Sequence, residues 1–160
     1  MSIKKLFFSF FFCIIVCFAI GCKSKEGSSK HIASSPQDLE EKTSGLIDRY
    51  IDIAVNNNGQ LDDSSTILTQ PLIAKLLYKK NEFASVWCDK EQWLPNGDSL
   101  FHFIEKAQLC GLFPEDYHVK ELTTIRQQFL MDSLSKNDRK NALLWAKADI
   151  MLTDAFVQIV

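Results

Sequence analysis

The chain is poor in the residues from which active sites are usually read. Its 160 residues hold three histidines, His31, His102 and His118, too scattered to make a metal site by spacing. No HExxH, GxSxG, phosphate-binding loop or dinucleotide glycine pattern occurs, so no metal or cofactor is implied. The absence of a CxxC pair removes the local signal for redox or zinc chemistry. Positive charge is not in excess either. The formal net charge is −2, and removal of a leader carrying Lys4 and Lys5 makes the remainder more acidic. Nucleic acid demands a concentrated basic surface, so it is excluded as a partner. Internal repeats, sustained heptads and long apolar runs after residue 21 are lacking, which argues against solenoids, coiled coils and later membrane spans.

The one long apolar run stands at the start. Lys4 and Lys5 precede Leu6 to Ile20, broken only by Ser9. As a helix this run spans about 22 Å, short of the roughly 30 Å hydrocarbon core of a bilayer. A basic start and a short apolar core make a secretory signal, with an uncleaved anchor as the alternative. The run closes on Ala19-Ile20-Gly21-Cys22, which resembles a lipobox, although Leu is commoner where Ala19 stands. Residues 1–21 are therefore expected to be a lipoprotein signal peptide. Cys22 is the expected lipid-attachment site, tethering the chain to a membrane with its folded part facing the periplasm. Residues 22–36, rich in Lys, Ser, Gly and Glu, read as a flexible tether. Residues 37–160 read as one mainly α, compact helical domain.

Five helices are expected within it. Leu39, Leu46, Ile47, Tyr50, Ile51 and Ala54 recur at helical spacing over about Gln37–Val55. Pro71 opens a second helix with Leu72, Ile73, Leu76 and Leu77 as its apolar side, to which Tyr78 is a further candidate. Phe83, Val86 and Trp87 form an extended or irregular piece, the best candidate for any strand. Asp98 caps a third helix running to about Cys110, ended by Gly111 in a left-handed conformation. Pro114–Tyr117 reads as one helical turn, followed by a helix over Leu122–Leu134. Asp138 caps a last helix over Arg139–Val160. In that helix Lys147, Asp154 and Gln158 are placed toward water, with Asp149 and Thr153 opposite them and buried. A buried carboxylate is costly unless paired, so Asp149 is expected to hydrogen-bond Thr153 or a neighbouring segment. The chain stops in mid-helix, without a cap or polar tail, so it is expected to be truncated before a further domain.

Candidate chemistry is sparse. Cys88 and Cys110 are an even pair in an exported chain, which allows either a disulfide or two buried free thiols. Cys110 with His102 or His118 is the only conceivable nucleophile–base set. A helix C-terminus disfavours a thiolate at Cys110, and His102 lies about 12 Å away along the helix. Trp87, Trp93, Phe101, Phe103, Phe113 and Tyr117 either pack the core or line a sugar-binding groove.

Three segments carry a resemblance. Phe83-Ala84-Ser85-Val86-Trp87 is similar to a segment of the N-terminal scaffold of YcbB-type L,D-transpeptidases. Ala107 through His118, AQLCGLFPEDYH, resembles that scaffold's "A…GL.PEDYH" stretch. Ala148 through Phe156 resembles its "A.DLLLTDAF" helix, in the same order and with similar spacing. The resemblance covers about residues 71–160. It implies export, peptidoglycan as the partner of a downstream catalytic domain, and crosslinking by a cysteine in an "SHGC"-like region absent here. No catalytic residue is carried over. The matching residues Gly111, Pro114, Asp116, Tyr117, His118, Asp149 and Thr153 are implied to be structural: a helix terminator, a tight turn and a buried polar pair. The expected function is a non-catalytic scaffold region of an envelope L,D-transpeptidase in cell wall biogenesis. The alternative is a free-standing envelope lipoprotein binding peptidoglycan or another glycan through an aromatic groove.

Overall fold

Helix α1 forms first in chain order and shows why the chain is mainly helical. A computed structural model describes residues 31–62, 66–134 and 140–160. The expected signal peptide, Cys22 and Asp138 lie outside these residues. Helix α1 spans Pro36–Asn56, with Ser35 as its cap accepting from the Asp38 amide at 3.1 Å. Pro36 fits the first turn because its missing N–H would lack an intrahelical partner there. Lys42 pairs with Asp38 one turn back and also donates to the Ile32 carbonyl at 2.8 Å. The face Leu39, Leu46, Ile47, Tyr50, Ile51 and Ala54 is buried as its spacing predicts.

The remaining helices are α2 (Pro71–Lys80), α3 (Pro95–Glu105), α4 (Val119–Leu134) and α5 (Ala142–Ile159). Two 3-10 turns, Ala107–Cys110 and Pro114–Tyr117, lie between α3 and α4. Helix α5 is the central element. It is buried on nearly all sides and packs against α1, α2, α3 and α4. Strand β1 (Ile32–Ala33) pairs antiparallel with β4 (Lys140–Asn141), joining the start of the folded region to the start of α5. Strands β2 (Cys88–Asp89) and β3 (Gln92–Trp93) make a short hairpin.

Several local expectations are corrected. The folded region begins inside the segment read as a tether, because Ala33 is buried and Ile32–Ala33 pair with β4. Asp98 does not cap α3: the helix starts at Pro95, and Asp98 accepts instead from Arg126 of α4 at 2.7 Å. Leu94-Pro95-Asn96-Gly97-Asp98, a sequence with the composition of a turn, instead forms the cap and first turn of the helix. Gly97 is needed there for space, since a Cβ would sit 2.6 Å from the Trp87 carbonyl oxygen. Helix α3 ends at Glu105, and the chain tightens into the 3-10 turn that Gly111 closes at φ 77°. Helix α5 begins at Ala142, capped by Asn141, whose side chain accepts from the Leu143 amide at 3.1 Å.

The largest correction concerns α2. Its buried residues are Ala74 and Tyr78, while Leu72 and Leu76 are each 63% exposed. Small Ala74 lets α2 approach its neighbours closely, so the helix is held from the side opposite to its leucines.

Candidate functional site: two buried aspartates on the central helix

Helix α5 carries Asp149 and Asp154, both with 0% of their surface exposed. A carboxylate only accepts hydrogen bonds, so burying one requires donors around it. Asp149 is supplied by distant parts of the chain, and Asp154 by distant parts together with Gln158 of its own helix.

Asp149 takes Tyr78 Oη at 2.7 Å, Val86 N at 3.0 Å and Trp87 N at 2.9 Å, together with the Ser85 hydroxyl. Thr153, one turn further along α5, accepts from Trp87 Nε1 at 2.8 Å and lies 2.7 Å from Tyr78 Oη. Because an indole N–H can only donate, the Thr153 hydroxyl proton is free to point at Tyr78. The order is then Trp87 indole to Thr153, Thr153 to Tyr78, and Tyr78 to Asp149. Burial pushes the Asp149 carboxyl up from its ordinary range, and the donors from Ser85, Val86, Tyr78 and Trp87 oppose that shift. Tyr78 is pushed well up by its own burial and then by the Asp149 charge.

Asp154 performs the same task at the other end of α2. Its carboxylate accepts from Thr69 N at 3.1 Å and Gln70 N at 2.9 Å. These amides precede the first turn of α2, where the helix has no side-chain cap of its own. A carboxylate there also meets the positive end of the helix dipole. His118 Nε2 lies 2.9 Å from Asp154, and Gln158 Nε2 donates to it at 2.9 Å. His118 reaches this position with φ 59°, directly after the Pro114–Tyr117 turn. Asp154 was expected to face water. It is buried because α2 and the 3-10 turn cover the side of α5 that its sequence neighbours Lys147 and Gln158 leave partly open.

The three segments singled out in the sequence therefore meet on one helix. Ser85, Val86 and Trp87 bind Asp149, His118 binds Asp154, and both aspartates belong to the third segment. The expected burial of Asp149 and Thr153 is found. Tyr117 and His118 are buried, Pro114 starts its turn, and Asp116 is exposed. Tyr78, Ser85 and Asp154 are members that sequence reasoning missed. The near-continuous apolarity of α5 was the available signal for Asp154, since no side of that helix was free for a carboxylate to face water.

Chemistry beyond anchoring is thin. Cys88 and Cys110 are free thiols, one buried and one exposed, so the disulfide is not formed and only Cys88 matches the buried-thiol alternative. Burial and then the Asp149 charge push the Cys88 thiol well up, which makes it inert as a nucleophile. His102 is engaged with Glu105 at 3.0 Å. Trp87, Phe101 and Tyr117 are buried, with Trp93 packed edge-on to Phe101 and Phe129, so these four pack the core, whereas Phe103 and Phe113 are exposed. No group of three or more metal-binding side chains occurs among the described residues.

The arrangement defines a class: a mainly α framework in which two buried carboxylates of a central helix clamp the loops around it. The family model of the scaffold domain matches residues 73–160, the stretch from α2 through α5. The chain belongs to this family, the scaffold domain of L,D-transpeptidase-type proteins. No curated protein and no solved structure matches it significantly.

Proposed function

We propose that this chain is a non-catalytic scaffold region of a cell-envelope L,D-transpeptidase that takes part in peptidoglycan crosslinking. The observation that carries the reading is the family match over residues 73–160, the stretch that also contains both aspartates and all their donors except Thr69 and Gln70. Within that stretch Asp149 and Asp154 accept from Tyr78, Ser85, Val86, Trp87 and Gln158 and meet His118, rather than facing open solvent. Their role is to fix the framework on which a catalytic domain is held. Export through the signal peptide, lipid attachment at Cys22 and a periplasm-facing position complete the proposal. The YcbB-like type is part of it.

Crosslinks from tetrapeptide donors provide the test. Cells lacking this reading frame should show a smaller fraction of such crosslinks in their digested peptidoglycan, restored by the wild-type gene. Restoration should fail with Cys22→Ala if the lipid anchor is needed. An unchanged crosslink profile in the deletion strain would refute the proposal.

A further inference from the structure

Helix α2 turns its largest apolar residues away from its own core. Leu72 and Leu76 form an outward ridge one turn apart, Ile73 is also exposed, and Leu77 faces residues of α3 and α5. Leu77 is also the near wall of a groove of about 640 Å³. Leu100 of α3 and Phe156 of α5 line the same groove, together with Val86 and Trp87, and Asn81 and Asn96 supply polar atoms to it. The ridge therefore lies beside the groove, since Leu77, the groove wall, follows Leu76 on the same helix.

We propose that this face binds a second copy of the chain, with the α2 ridge of each copy laid into the groove of the other about a two-fold axis. The area supports a partner. Leu72, Ile73, Leu76, Leu77, Val86 and Phe156 together expose the equivalent of about three whole apolar side chains, on the order of 500 Å². That is at the upper end of what a monomer leaves uncovered, roughly 300–600 Å². With the polar fraction usual at interfaces, it corresponds to about 800 Å² per partner, the size of a standard stable interface. The shape supports the choice of partner. A groove walled by helices takes another helix, about 10 Å across. The exposed ridge of α2 is such a helix and lies beside the groove. A two-fold interface requires one patch to be complementary to itself, and a ridge next to a groove meets that requirement.

The proposal is independent of the transpeptidase reading and fails separately from it. The test is the solution mass of the mature chain, with Cys22→Ser in place of the lipid, by sedimentation equilibrium from 1 to 100 µM. The wild type should reach twice the monomer mass. Leu76→Lys should weaken association at least tenfold without altering the far-ultraviolet circular dichroism. Leu130→Lys, on an exposed part of α4 away from the groove, should leave the dimer intact. A wild type that stays monomeric at 100 µM overturns the proposal and assigns the face to a different occupant. A dimer indifferent to Leu76→Lys, or open-ended association beyond the dimer, overturns it equally.

Discussion

Replacing Asp149 by alanine removes the acceptor that four donors share, and the cost can be built from their surroundings. The Trp87 amide is buried and has its bond to Asp149 at 2.9 Å. Stranding one buried donor costs about 1–3 kcal/mol. Tyr78 is fully buried but retains Thr153 at 2.7 Å, so its loss is partial. Ser85 and Val86 are nearer the surface and can take up water. Against these losses stands the relief of no longer burying a carboxyl group. The balance is a destabilisation of about 2–4 kcal/mol, dominated by Trp87 and Tyr78. Urea midpoints followed by tryptophan fluorescence would measure it. Thr153→Val should cost about 1–2 kcal/mol by removing the acceptor of the Trp87 indole. The two changes share Tyr78, so the double variant should depart from additivity. A loss below 0.5 kcal/mol for Asp149→Ala, or strict additivity, would refute the clamp.

Gly97→Ala places a methyl 2.6 Å from the Trp87 carbonyl oxygen, a backbone atom that cannot swing aside. A loss of about 1–3 kcal/mol is expected, read as a lowered urea midpoint. In the native mature protein, Cys110 should react rapidly with a thiol reagent and Cys88 only after unfolding, with no mass change on reduction. Cys88 and Tyr78 have folded values above their ordinary ones. The stability they contribute is therefore complete below the ordinary thiol value of about 8.5 and is lost as pH rises toward the folded values. Stability should fall above about pH 8.5, and Cys88→Ala should flatten the first part of that fall.

Much of this fold was legible because helical periodicity and capping chemistry are local. The spacing in α1, Pro71 at the start of α2 and Gly111 as a left-handed terminator all follow from near neighbours. What was not legible depends on distant partners. Helix α2 has more large apolar residues on the face that turned out to be exposed, so periodicity alone selected it. The choice was made instead by Ala74, by Tyr78 and by carboxylates more than sixty residues away. Asp154 was misplaced for the same reason, since its donors at Thr69, Gln70 and His118 are invisible in its own helix. Asp149 was found because a carboxylate amid apolar residues is a local anomaly. The start of α5 shifted from Asp138 to Asn141, because pairing with Ile32–Ala33 holds Lys140–Asn141 extended.

The central proposal is that these residues support an enzyme without being one. Crosslinking by acyl transfer needs an activated nucleophile, a base and donors for the oxyanion, and Cys88 is too deeply buried to serve. The most direct measurement is the intact mass of purified residues 22–160, with Cys22→Ser, after incubation with tetrapeptide-bearing muropeptides and, separately, with a carbapenem. The account predicts no crosslinked product, no thioester adduct and no carbapenem adduct. A carbapenem adduct or thioester mapped to Cys110 or Cys88 would contradict it and make this chain the catalyst.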